Sequence, residues 1–71
     1  MIFYTQLKQL CEDKAIKLTP LVEELGMTTG NISRWKKGGY PSVEALLKFA
    51  DYFNVSTDYL LGRTNNSEVN R

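Results

Sequence analysis

The stretch KLTPLVEELGMTTGNISRWKKGG, residues 17–39, decides how this chain folds. Its first half carries Leu21, Val22 and Leu25 at the spacing of one helical stripe. Thr19 followed by Pro20 reads as an N-cap and first helical residue. Proline is tolerated throughout a first turn, so the start is open by one or two residues toward the N-terminus. Gly26 supplies a left-handed residue that ends this helix near residue 25. After the turn Gly26-Met27-Thr28, a second helix is expected over residues 28–37, with Thr28 or Thr29 as N-cap. Ile32 and Trp35 are its only large apolar side chains; Thr29, Gly30, Asn31, Ser33, Arg34, Lys36 and Lys37 fill the rest. Gly30 weakens it by about 1 kcal/mol relative to alanine, and the Gly38-Gly39 pair ends it. Two short helices joined by a tight turn, the second with a thin apolar seam, make a helix-turn-helix.

Working outward, Phe3, Leu7, Leu10, Cys11 and Ala15 fit one stripe of a helix over residues 3–15. On the other side, Pro41-Ser42 punctuates a new start, with Ser42 as N-cap and Glu44 near the positive end of the helix dipole. Val43, Leu46, Leu47, Ala50 and Phe53 form its stripe, widened by Phe49 and Tyr52, and Asn54 is a left-handed terminator. Ser56 caps a last short helix, residues 57–61, ended by Gly62. No strand alternation is evident. The expectation is therefore an all-α fold, a compact five-helix domain over residues 1–63. Residues 64–71, polar and without periodicity, read as a disordered tail or linker.

Composition narrows the chemistry. Seventy-one residues suit one small domain. With one Cys and no His, neither an internal disulfide nor the common zinc ligand sets can form, so packing alone must make the core. No cofactor and no metal are expected. The missing histidine also removes the commonest acid–base group. Glu23-Glu24 and the pair Asp51 and Asp58 have no nucleophile or base beside them and read as solvated helix faces, so an enzyme is disfavoured. Cys11 reads as packing rather than redox sensing. No apolar run approaches the ~20 residues needed to span a bilayer, and the N-terminus lacks the features of a signal peptide. A cytoplasmic protein with no membrane partner is expected, in keeping with its single cysteine.

The formal net charge of +1 conceals a dipolar molecule. Residues 28–41 contain Arg34, Lys36 and Lys37 and no acid. Before them, Lys8, Lys14 and Lys17 are outweighed by Glu12, Asp13, Glu23 and Glu24; after them, Lys48 faces Glu44, Asp51 and Asp58. A polyanion would be drawn to the middle of the chain and repelled by much of the rest.

KLTPLVEELGMTTGNISRWKKG followed by YPSVEALLKFADYFNVSTDYLLG resembles the Cro and phage-repressor (XRE-like, lambda-repressor-like) helix-turn-helix domains over roughly residues 3–63. It is most similar to short transcriptional regulators of Gram-positive bacteria and their phages. The resemblance implies a supporting helix at residues 18–25 and a recognition helix at 28–37 in the major groove of double-stranded DNA. It also implies a homodimer on a two-fold symmetric operator, most simply as a repressor. The family's base-contacting positions fall on Thr29, Gly30, Asn31, Ser33 and Arg34. Arg34 suits a guanine, whose O6 and N7 accept a bidentate fork; Asn31 suits an adenine or a phosphate, and Thr29 a thymine methyl. Gly30 would permit close approach. Phosphate candidates are Lys17, Thr19, Thr28, Lys37, Tyr40 and Ser42.

Two positions depart from the family pattern. Leu18 stands where many members have a phosphate-binding Gln, and Lys36 where many have Glu. The anchor would then shift to Thr19 or Lys17, while Lys36 is either DNA-facing or solvated. Trp35 reads as core, Tyr4, Tyr52 and Tyr59 as half-buried supports, and Tyr59 with Leu61 as a possible dimer contact. A second function stays open, an antitoxin or anti-repressor on the same fold whose main partner is another protein.

Overall fold

The computed structural model describes residues 2–64; the tail expected at 64–71 therefore lies, beyond Thr64, outside the described residues. The described chain is all helical: α1 (Ile2–Asp13), α2 (Leu18–Glu24), α3 (Gly30–Lys36), α4 (Val43–Phe53) and α5 (Thr57–Leu60). The all-α, five-helix expectation is met. Helix α1 packs on α3 and α5, and α4 on α5. At their centre Phe3, Trp35 and Phe49, one each from α1, α3 and α4, are fully buried. Trp35 meets Phe3 at 5.5 Å and Phe49 at 5.6 Å, both edge to face. Such geometry sets the positive ring edge against the negative face. Leu7, Leu21, Val22 and Leu60 close the core around them.

The five helices share one way of ending. Each is followed by a residue with positive φ, namely Ala15, Gly26, Gly38, Asn54 and Gly62. In each case the next N–H reaches back five residues to a helix carbonyl, as Met27 does to Val22 at 3.0 Å and Val55 to Ala50 at 3.0 Å. This is the Schellman arrangement, and it often brings an apolar residue just beyond the turn back onto the helix. Ile16, Met27 and Val55 all return to the core in this way.

Several expectations about these elements are refined or corrected. Helix α1 stops at Asp13, and Ala15 is an exposed left-handed residue (φ 56°) instead of a stripe member. Ile16 donates to the Cys11 carbonyl at 2.8 Å and folds onto the core; that burial outweighs the strain of a β-carbon at positive φ, about 1–2 kcal/mol. In α2 the start falls two residues before Thr19, within the range that Pro20 leaves open, and Lys17 precedes the helix. Leu18 is buried and opens the stripe with Leu21 and Val22, and Pro20 sits harmlessly inside the first turn. Thr29 precedes α3 but its side chain caps nothing, its own backbone being already helical (φ −69°, ψ −17°). The stripe of α4 is rotated. Ala45, Phe49, Ala50 and Phe53 are buried, while Val43 is 73% and Leu47 50% exposed. Seating Phe49 in the aromatic centre fixes the helix phase and turns Val43 and Leu47 outward. Tyr52 is exposed too and stands edge to face on Phe53 at 5.0 Å, whereas Tyr4 and Tyr59 are half-buried as expected.

The remaining caps follow the sequence. Ser42 Oγ accepts from the Ala45 N–H at 3.1 Å and Ser56 Oγ from the Tyr59 N–H at 3.0 Å. Helix α5 ends at Leu60 rather than Leu61. Cys11 is buried against the core, and that burial pushes its thiol up, only partly offset by Lys8. It is a packing thiol, short of the thiolate that redox chemistry needs.

Candidate nucleic-acid interface

Seven residues turning 100° apiece place Gly30, Ser33 and Arg34 of α3 on one outward arc, joined by Lys37 just after the helix. All four are exposed. Trp35 points the opposite way and is the only fully buried side chain of α3, with Ile32 packed beside it. The helix is thus held from behind by an indole in an aromatic socket. The indole Nε1 has no partner, a burial cost of about 1–3 kcal/mol that the packing of the ring must exceed.

The supporting helix is tied down separately. Lys48 Nζ of α4 donates to the Leu25 carbonyl at the end of α2, 2.9 Å away, and pairs with Glu44 at 3.2 Å. An ammonium on an unpaired terminal carbonyl satisfies the acceptor and favours the negative end of the helix. The sequence offered no sign of it, because its partner is a backbone atom 23 residues away.

The basic segment is electrostatically unspent. Among the described residues, Arg34, Lys36 and Lys37 form no ion pair; the pairs present are Lys48–Glu44 and Arg63–Asp58. Lys36 edges an open cleft with Tyr4 of α1, Thr19 of α2, and Thr29, Gly30 and Ser33. This brings Thr19 beside the residues assigned to bases, and it adds Tyr4, which sequence reasoning had read only as a support. Of the other phosphate candidates, Lys17 and Thr28 flank α2 and α3, and Tyr40 is 72% exposed. Ser42 spends a lone pair on its cap and keeps its O–H proton for a further acceptor. Thr28 Oγ1 accepts from Asn31 Nδ2 at 3.3 Å, and Asn31 Oδ1 accepts from Arg34 Nη2 at 3.1 Å. Tyr59 and Leu61 are each half-buried and do not line this cleft; the Tyr59 carbonyl accepts from Gln6 Nε2 at 3.2 Å.

A second missed residue is Gly39. Its N–H donates to the Arg34 carbonyl at 2.9 Å, and a β-carbon there would lie 2.8 Å from Arg34 Cγ and 2.9 Å from Arg34 O. The doubled glycine was legible as a stop. That its second member makes room for the Arg34 stem depends on a contact only the folded turn creates.

Among the described residues no cluster of His, Cys, Asp or Glu side chains could hold a metal ion, and no helix is long and apolar enough to cross a membrane. A short helix anchored by one buried indole, offering a cationic face beyond a tight turn, defines a helix-turn-helix of DNA-binding proteins. The description of the Cro/C1-type HTH DNA-binding domain matches residues 6–65, and the chain belongs to that family. It is also similar to the HTH-type transcriptional activator BcrR of Enterococcus faecalis, 37% identical over 62 residues. That alignment covers 86% of this chain and 30% of the relative, so the chain spans about a third of its relative's length. No solved structure gives a significant match. The chain is a DNA-binding domain of the transcription-regulator type.

Proposed function

We propose that this chain binds a two-fold symmetric operator as a homodimer, with one α3 in each of two successive major grooves. The supporting observation is the outward arc of α3: exposed, cationic, free of internal ion pairs and rigidly backed by Trp35. Arg34 reads a guanine with Asn31 beside it, Thr29 and Ser33 contact neighbouring bases, and Gly30 lets the backbone come close. Lys17, Thr19, Thr28, Lys37, Tyr40 and Ser42 hold phosphates and fix the register, and Lys36 adds to that charge. Tyr59 and Leu61 contribute to the contact between protomers. The protein works where the DNA is, in the cytoplasm.

Occupancy alone represses wherever such a site overlaps a promoter, and no chemistry is required. The relative named above is an activator by its name; the sign of regulation follows from where the operator lies and from what else the complex touches. Selection of bound sites from random duplex DNA is the test. An inverted repeat with half-sites one helical turn apart, about 34 Å, is expected. Failure to enrich any sequence would refute the proposal.

A second reading rests on the exposed apolar groups Tyr40, Val43 and Leu47. They suit a protein partner, as for an antitoxin or anti-repressor on the same fold. A toxin gene beside this one, with no gel shift of the DNA upstream, would favour that reading.

A further inference from the structure

We infer that Asn31 is a positioning residue for Arg34, and that Thr28, Asn31 and Arg34 read one base as a unit. This rests on the proposal that α3 reads bases. Both ends of the Asn31 amide are engaged: Oδ1 accepts from Arg34 Nη2 at 3.1 Å, and Nδ2 donates to Thr28 Oγ1 at 3.3 Å. An asparagine that reads adenine needs both of those groups for the base edge. Here Asn31 spends them on Arg34 of its own helix and on Thr28 in the turn before it. The arginine sets the direction of the amide: a guanidinium only donates, so Oδ1 must face it, and Nδ2 is left for the Thr28 hydroxyl, which can accept.

The consequence falls on Arg34. An arginine guanidinium carries five donors, so one bond to Asn31 leaves enough N–H groups for the two acceptors of a guanine edge. A free arginine must give up much rotamer freedom when it docks. One already tethered at its tip loses less, and presents its fork in one orientation. The stem is steered from the other side by Gly39, where the missing β-carbon leaves room for Arg34 Cγ at 2.8 Å from the position that carbon would take. Tip and stem are thus set by two residues that touch no base.

The test is selection of bound duplexes by the full chain and by variants, scored as the preference ratio at each operator position. Asn31 is partly exposed and off the core, so its variants keep the fold, which a thermal melt verifies. Asn31→Ala is expected to cut the guanine preference at the Arg34 position about tenfold and to leave the other positions unchanged. The double variant Asn31→Ala, Arg34→Ala should be no worse than Arg34→Ala alone. Asn31→Asp keeps an acceptor for the guanidinium; it should weaken binding to all sequences yet retain the preference ratio. Thr28→Val should give a smaller loss at the same position. A loss at a separate adenine position in Asn31→Ala, or additive losses in the double variant, would overturn the unit while leaving base reading by α3 intact. A wild-type protein that enriches no sequence would remove the parent proposal and this inference with it.

Discussion

Helices α3 and α4 use burial in opposite ways. Helix α3 has seven residues and fully buries only Trp35; α4 has eleven and buries Ala45, Phe49, Ala50 and Phe53. Helix α4 also has a side-chain cap at Ser42 and an internal ion pair, whereas α3 has no N-terminal side-chain cap. A helix that must present most of its surface to another molecule can spare few side chains for the core. Its hold on the domain is concentrated in one large residue and in the turns at its two ends. Redundancy belongs to the scaffold, and exposure to the reading element.

The largest effect should come from breaking that single hold. Trp35→Ala removes the indole from between Phe3 and Phe49 and should cost about 3–5 kcal/mol. A domain of this size has roughly 4–10 kcal/mol in total, so the variant should lose about a third of its stability or more and melt far below wild type by circular dichroism. In α4, Ala45→Gly should cost only about 1 kcal/mol and leave a cooperative transition. If Trp35→Ala melted almost as wild type, α3 would be held by something other than the aromatic centre.

Within the presented face, Arg34 and Lys37 should separate by kind of effect. Arg34→Ala is expected to lose about 1–3 kcal/mol of discrimination at one base position per half-site. Lys37→Ala should weaken operator and random DNA alike and lower the slope of log affinity against log salt by about 1. Fluorescence anisotropy titrations on both DNAs over a range of salt would measure the two together. Equal losses on operator and random DNA for Arg34→Ala would remove its base-reading role.

What the sequence could convey divides along the same line. All five helices were legible, as were the caps at Ser42 and Ser56 and the left-handed ends at Gly26, Gly38, Asn54 and Gly62. Each is a local matter of a side chain and its own backbone. The core role of Trp35 was legible because α3 has so little else to bury. Three features were not: the left-handed Ala15, the bond from Lys48 to Leu25, and the placement of Arg34 by Asn31 and Gly39. The partner of Lys48 is 23 residues away, and the turn at Ala15 is set by the docking of Ile16 on a core that only the folded chain creates. For Arg34, spacing could suggest a neighbour but not the direction of an amide. Ala15 can be checked directly: Ala15→Gly relieves the positive φ and should raise stability by up to about 1 kcal/mol, read as a higher melting temperature. An unchanged or lowered value would mean that Ile16 docks without straining the turn.

The smallest effect sharpens the comparison most, since it tests which face α4 turns inward. Two phases compete on its sequence. One buries Val43 and Leu47 with Leu46, Ala50 and Phe53; the other buries Ala45 and Phe49 with Ala50 and Phe53. The side chains differ in what they lose when left outside. Phe49 carries far more apolar area than Val43, and its ring completes the contact with Trp35 at 5.6 Å. The second phase wins, leaving Val43 mostly and Leu47 half exposed. Val43→Thr should therefore change stability by less than about 0.5 kcal/mol in a dilute urea titration, the range of an ordinary surface substitution. A loss of several kcal/mol that persisted on dilution would restore the first phase. A loss seen only at high protein concentration would locate a contact between protomers on this face.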